Sequence, residues 1–132
     1  MNNKQNEVRE LEVIVAESIK NNICEYLELD AKIEEIINIE VSSFYGVFIK
    51  VLGHKVFSLT RDIDDYNIHH AKIVSPVLRI DDATSEKEIE KYNKQMEFVS
   101  LISSKAVFLK LKEIALGNIL TLNEEVESII EC

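Results

Sequence analysis

Apolar residues recur at three- and four-residue intervals over residues 7–29: Val8, Leu11, Val15, Ile19, Ile23, Tyr26 and Leu27. That spacing is one face of an α-helix, with Arg9, Glu10, Glu17, Lys20 and Glu25 mostly off it. Val13, Ile14 and Ala16 widen the stripe in the middle, which predicts contact with more than one surface. Residues 31–35 predict a further short helical turn.

At Ile36 the period changes. Ile37, Ile39 and Val41 alternate with Asn38, Glu40 and Ser42, the pattern of a half-buried strand. From Phe44 the chain is apolar on both faces, with Tyr45, Val47, Ile49 and Val51 on one and Phe44, Phe48 and Leu52 on the other. A strand apolar on both faces is expected to lie centrally. Ser42 and Ser43 mark either a turn or a bulge, and Gly46 is a second place for such an irregularity.

Gly53 and His54 predict a two-residue hairpin with glycine first, as a type II′ turn requires. That register sets Leu52 opposite Lys55, Lys50 opposite Phe57 and Phe48 opposite Leu59. It sets Val51 opposite Val56 and Ile49 opposite Ser58 on the other face. Residues 61–70 predict a polar connection, and 71–80 a last strand whose Pro76 confines it to an edge or a bulge.

A strong helix start follows, Ser85 with Glu88 forming a capping box behind Asp81 and Asp82. Ile89, Tyr92, Met96, Val99, Ile102, Ala106 and Leu109 carry a stripe predicting a long helix over 85–116 that stops at Gly117 and Asn118. Thr121 with Glu124 predicts the cap of a short C-terminal helix. The expected architecture is one α+β domain over residues 1–132: a long N-terminal helix, an antiparallel sheet of three to four strands over 36–80, a long helix and a short one. Apolar side chains left on the second sheet face predict a homodimer that covers them, or a partner docking on Tyr45, Val47, Ile49, Val51 and Val56.

Composition narrows the function classes. The chain has 132 residues, a formal net charge of −9 and only three glycines and one proline. Residues 1–35 carry four Lys/Arg against nine Asp/Glu, residues 36–80 five against four, and residues 81–132 six against eleven. The acid belongs to the helical flanks. Nucleic acid and anionic membrane surfaces are therefore expected not to be partners, since both need clustered Lys and Arg. A basic protein partner suits the charge. No apolar run approaches the roughly 20 residues of a membrane span and no secretory h-region opens the chain, so a cytoplasmic protein is expected. Cys24 falls in a helical pattern, where a small buried apolar role is expected; Cys132 is expected to be an exposed thiol. Richness in Ile, Asn, Lys and Glu is the habit of AT-rich genomes, including many bacteria and phages.

Chemistry has one candidate cluster: Asp62, Asp64, Asp65, His69 and His70. Carboxylates and imidazoles of this kind bind divalent ions that activate water for hydrolysis. Their spacing matches neither an EF-hand nor a zinc-protease motif, and adjacent histidines on a strand point to opposite faces. No phosphate loop, nucleophile elbow or Cys/His pair is present. In size, acidity and order of elements the chain is similar to small secretion chaperones and small inhibitor or immunity proteins, an analogy of architecture without a motif. The expected function is a non-enzymatic protein-interaction module: an acidic adaptor, chaperone or inhibitor without cofactor. The alternatives are a metal-dependent hydrolase or nuclease using the 62–70 loop, and a structural subunit of a larger assembly.

Overall fold

The computed structural model describes residues 3–131; Cys132 lies outside them. The elements run α1 (Asn3–Leu27), α2 (Ala31–Ile36), β1 (Ile37–Ser42), β2 (Gly46–Val51), β3 (His54–Arg61), β4 (His69–Ile73), α3 (Glu86–Ile102) and α4 (Lys105–Glu131). The four strands form an antiparallel meander in the order β1-β2-β3-β4. Helices α1, α3 and α4 pack on one face, an α+β fold of two layers. Among the described residues no helix is long and apolar enough to cross a membrane.

Local chemistry accounts for the boundaries. Helix α1 ends where Glu28 takes a φ of 53°, letting the amides of Glu28 and Leu29 donate to the carbonyls of Glu25 and Cys24. This is a Schellman termination made without glycine. Asp30 then caps α2 by accepting from the Ile33 amide at 3.0 Å. Ser85 caps α3 in the same way, accepting from the Glu88 amide at 3.2 Å.

The β1–β2 connection is a turn over Ser43, Phe44 and Tyr45, which decides between the two alternatives left by the sequence. The β2–β3 hairpin departs from its expected register by one residue. Its central residues are Leu52 and Gly53, both at positive φ (49° and 88°) as a type I′ turn requires. The pairing is Val51 with His54 and Lys50 with Lys55; it then jumps to Ile49 with Phe57, Phe48 with Ser58 and Val47 with Leu59. Val56 is the extra residue of a β-bulge. The bulge moves Phe57 and Leu59 from the Phe48 face, where either turn register alone would set them, to the helix-covered face of Val47, Ile49 and Val51.

That face is the core. Val47, Ile49, Val51, Val56, Phe57 and Leu59 are fully buried against Ile19, Ile23, Ile102, Leu111, Ala115, Ile119 and Leu122. Each large side chain so buried stabilises the fold by about 1.5–3 kcal/mol relative to exposure. Cys24 is buried and free, as expected from its helical position. Gln95 is a polar residue in this layer. It is 5% exposed and donates to the Val51 and Leu52 carbonyls at 3.0 and 3.3 Å, tying α3 to the hairpin turn.

The C-terminal helices divide elsewhere than expected. The break falls at Ser103 and Ser104: the Ser103 hydroxyl donates back to the Val99 carbonyl, and the Ser104 hydroxyl accepts from the Val107 amide. Gly117 lies inside α4, where the Thr121 hydroxyl donates to its carbonyl at 3.1 Å, so Thr121 caps nothing. Helix α4 continues because Ala115, Ile119, Leu122 and Val126 sustain a buried stripe, which outweighs the roughly 1 kcal/mol cost of one interior glycine. Strand β4 is shorter than the expected 71–80. After Ile73 the Val74 amide still reaches β3 at the Val56 carbonyl, and the Val74 carbonyl accepts from His54 Nε2 at 3.1 Å. The chain then leaves the ladder and runs on past Pro76.

Candidate functional site

A meander brings alternate connections to the same end, here the 43–45 turn and the loop over residues 62–68. Side chains from the helices hold the turn. Glu12 of α1 accepts from the Ser43 amide at 2.7 Å. Asn123 of α4, with its amide oriented to satisfy both neighbours, donates to the Ser43 carbonyl and accepts from the Arg61 guanidinium. The Arg61 amide donates to the Tyr45 carbonyl at 3.2 Å, and its guanidinium carbon lies 5.5 Å from the Tyr66 ring centre.

The loop is organised by Asp62. One of its oxygens accepts from the Asp64 and Asp65 amides at 2.8 and 3.0 Å, while His70 Nε2 donates to the other at 2.7 Å. Asp65 in turn accepts from the Asn67 amide. The His70 hydrogen bond, then those from Asp64 and Asp65, holds the Asp62 carboxyl below its ordinary value. The carboxylate oxygens that would be metal ligands are thus occupied as turn acceptors. His69 lies across the sheet from His70, and among the described residues no three His, Cys, Asp or Glu side chains come together to hold an ion.

His69 faces the helix layer opposite Arg61, with Nε2 buried and without a hydrogen-bond partner. Desolvation, then the positive charges of Arg61, His70 and Lys112, push its imidazole below the ordinary 6.5. The folded state therefore holds His69 neutral. Its contribution to stability is complete above the unfolded value and is lost as pH falls through about 6.5 toward the depressed folded value. The thermal midpoint is expected to fall between about pH 7 and about pH 5, and His69→Gln to flatten that slope; an identical slope in the variant would acquit His69.

The sheet residues expected to meet a partner lie elsewhere than predicted. Val47, Ile49, Val51 and Val56 are fully buried in the protein's own core, because the face they share is the one the helices cover. Tyr45 alone of that set is exposed, at 73%, on the turn. Phe44 on the same turn, and Ile63, Tyr66 and Ile68 on the loop at the same end of the sheet, are exposed as well, with Ile63 at 91%. Sequence patterning missed this group because its members sit in connections, where no period marks them. The one available signal was aromatic and isoleucine side chains in segments otherwise polar. The opposite sheet face is polar, so the apolar surplus that predicted a homodimer through the sheet is absent among the described residues. Comparison of the chain with protein-family models, with curated proteins and with solved structures finds no match.

Proposed function

We propose that this chain is a non-enzymatic protein-interaction module, a small acidic adaptor, chaperone or inhibitor of the cytoplasm, which grips another protein through the end of its sheet. One observation carries the proposal: five large apolar side chains, two of them tyrosines, are held in solvent on a turn fastened by hydrogen bonds to α1 and α4 and on a neighbouring loop fastened by Asp62. Tyrosine-rich, apolar patches on soluble proteins mark interfaces. A fastened turn loses little conformational freedom on docking, so more of the contact energy appears as affinity. Asp64 and Asp65 rim the patch, which suits a partner with basic residues around an apolar centre.

The test uses the chain as bait in an extract of its native host, beside a Phe44→Ser/Tyr45→Ser/Tyr66→Ser variant with an unchanged circular dichroism spectrum. One protein should crosslink to the wild type and be lost from the variant. A bait that stays alone, or a partner kept equally by both, overturns the reading. Self-association retains one observation in its favour, Val13 and Ile14, each 60% exposed on α1. Light scattering on the same samples separates dimer from monomer.

A further inference from the structure

Opposite the helices, the sheet carries a different chemistry. The register sets Asn38, Lys50 and Lys55 in one row, Glu40, Phe48, Ser58 and Lys72 in the next, and Thr60 with His70 in a third. A cleft of about 570 Å³ lies over this face, lined by Phe48, Lys50, Lys55, Ser58, Thr60 and Lys72 among others. That volume is within the usual range for small-molecule sites, roughly 300–1,000 Å³.

We infer that this cleft binds a small anion of the phosphate class carrying two or more negative charges. In a chain of net charge −9, three lysines gather here, and the carboxylates on this face are already engaged, Glu40 by Lys50 Nζ and Asp62 by His70 Nε2, each at 2.7 Å. Lys50 and Lys55 are direct cross-strand partners, an arrangement in which like charges repel. Lys55 is held over the face by the Phe48 ring, its Nζ 4.3 Å from the ring centre. Lys72 makes no ion pair among the described residues.

Ser58, at the centre, supplies an independent observation. Its side chain belongs to a residue only 6% exposed, and its hydroxyl has no hydrogen-bond partner. A buried hydroxyl left unpaired is costly, and native structures rarely leave one without a reason. An anion seated between the lysines satisfies both features: its oxygens accept from the Ser58 O–H and from the ammonium groups, and its charge removes the Lys50–Lys55 repulsion. Lysines serve phosphate as point charges that need no planar fork, and three of them spread over three strands suit a multiply charged group better than a single carboxylate.

The test is a titration of the ¹⁵N-labelled chain with sodium pyrophosphate at constant ionic strength. Saturable amide shifts are expected at Phe48, Lys50, Lys55, Ser58 and Lys72. The apparent Kd should rise by about tenfold or more in Lys55→Gln/Lys72→Gln, and by several-fold in Ser58→Ala, as loss of charge-assisted contacts implies. Both variants change side chains on the uncovered face, and an unperturbed remainder of the spectrum reports their folding. Inorganic phosphate and glycerol 3-phosphate form two further arms: equal binding places recognition in the phosphate alone, and tighter binding of the ester places part of it in the organic group. Shifts that follow total salt, or a Kd unmoved in the double variant, overturn the inference. So do shifts of the same amides with protein concentration alone, since a second copy's carboxylates would then own the face. Retention of binding in the Phe44→Ser/Tyr45→Ser/Tyr66→Ser variant keeps this site distinct from the sheet-end patch.

Discussion

Gly46→Ala is expected to cost roughly 3–5 kcal/mol, a large share of the about 5–15 kcal/mol that holds a domain of this kind together. Gly46 opens β2 at a φ of 141°, and a Cβ placed there would stand 1.8 Å from the Leu59 carbonyl oxygen. The obstacle is backbone of the neighbouring strand, so a rotamer change cannot relieve it. The β2–β3 ladder must open at this end, next to the Arg61–Tyr45 hydrogen bond. Gly53→Ala is the internal control. Its φ of 88° is also unfavourable to alanine, yet a Cβ there meets nothing within 4 Å. Strain without collision predicts a smaller loss, of about 1–2 kcal/mol. Denaturant midpoints at constant m-value measure both, and equal losses would show that the Leu59 carbonyl yields to the added methyl.

Phe57→Ala is expected to lose about 3–5 kcal/mol, the range for emptying a phenylalanine site in a packed core. Phe57 is the largest fully buried side chain, and its ring stands 5.9 Å from that of Phe108 at 63°, an edge-to-face contact between sheet and α4. It also pairs with Ile49 on one side and Ile73 on the other, so its removal leaves a gap shared by three strands. Phe57→Leu should lose less, since most of the volume remains. A loss below about 1 kcal/mol for the alanine variant would mean that α4 settles into the space.

Much of this architecture is legible in local patterns. The Ser85 cap and the change of period near Ile36 each rest on residues within a few positions of one another. What escaped the sequence depends on comparisons across the chain. The hairpin register turned on whether Gly53 stood first or second in its turn, and a bulge at Val56 then reversed which residues faced the helices. Gly117 reads as a stop until the buried stripe on either side of it is known to have a surface to pack on. Gln95 is placed by the Val51 and Leu52 carbonyls to which it donates, residues more than forty positions away. The 62–70 cluster has metal-binding residue types, but Asp62 spends its oxygens on its own loop. Asp62 apart, whose partners Asp64, Asp65 and His70 are near in sequence, these outcomes are decided by neighbours remote in sequence.

The pairing of α1 with α4 sets an order of events in assembly. Ser18 donates to Asn118 at 3.4 Å across 100 residues, and Glu12 and Asn123 both hold the Ser43 backbone, one at its amide and the other at its carbonyl. The meander joins strands near in sequence and can form early, whereas its helix-facing side stays open until α4 has been made. A ribosome pausing within residues 105–131 would therefore hold out a nascent sheet with Val47, Ile49 and Phe57 not yet covered by α4. Helix α4 is the lid of the core, and it follows every other element that packs there.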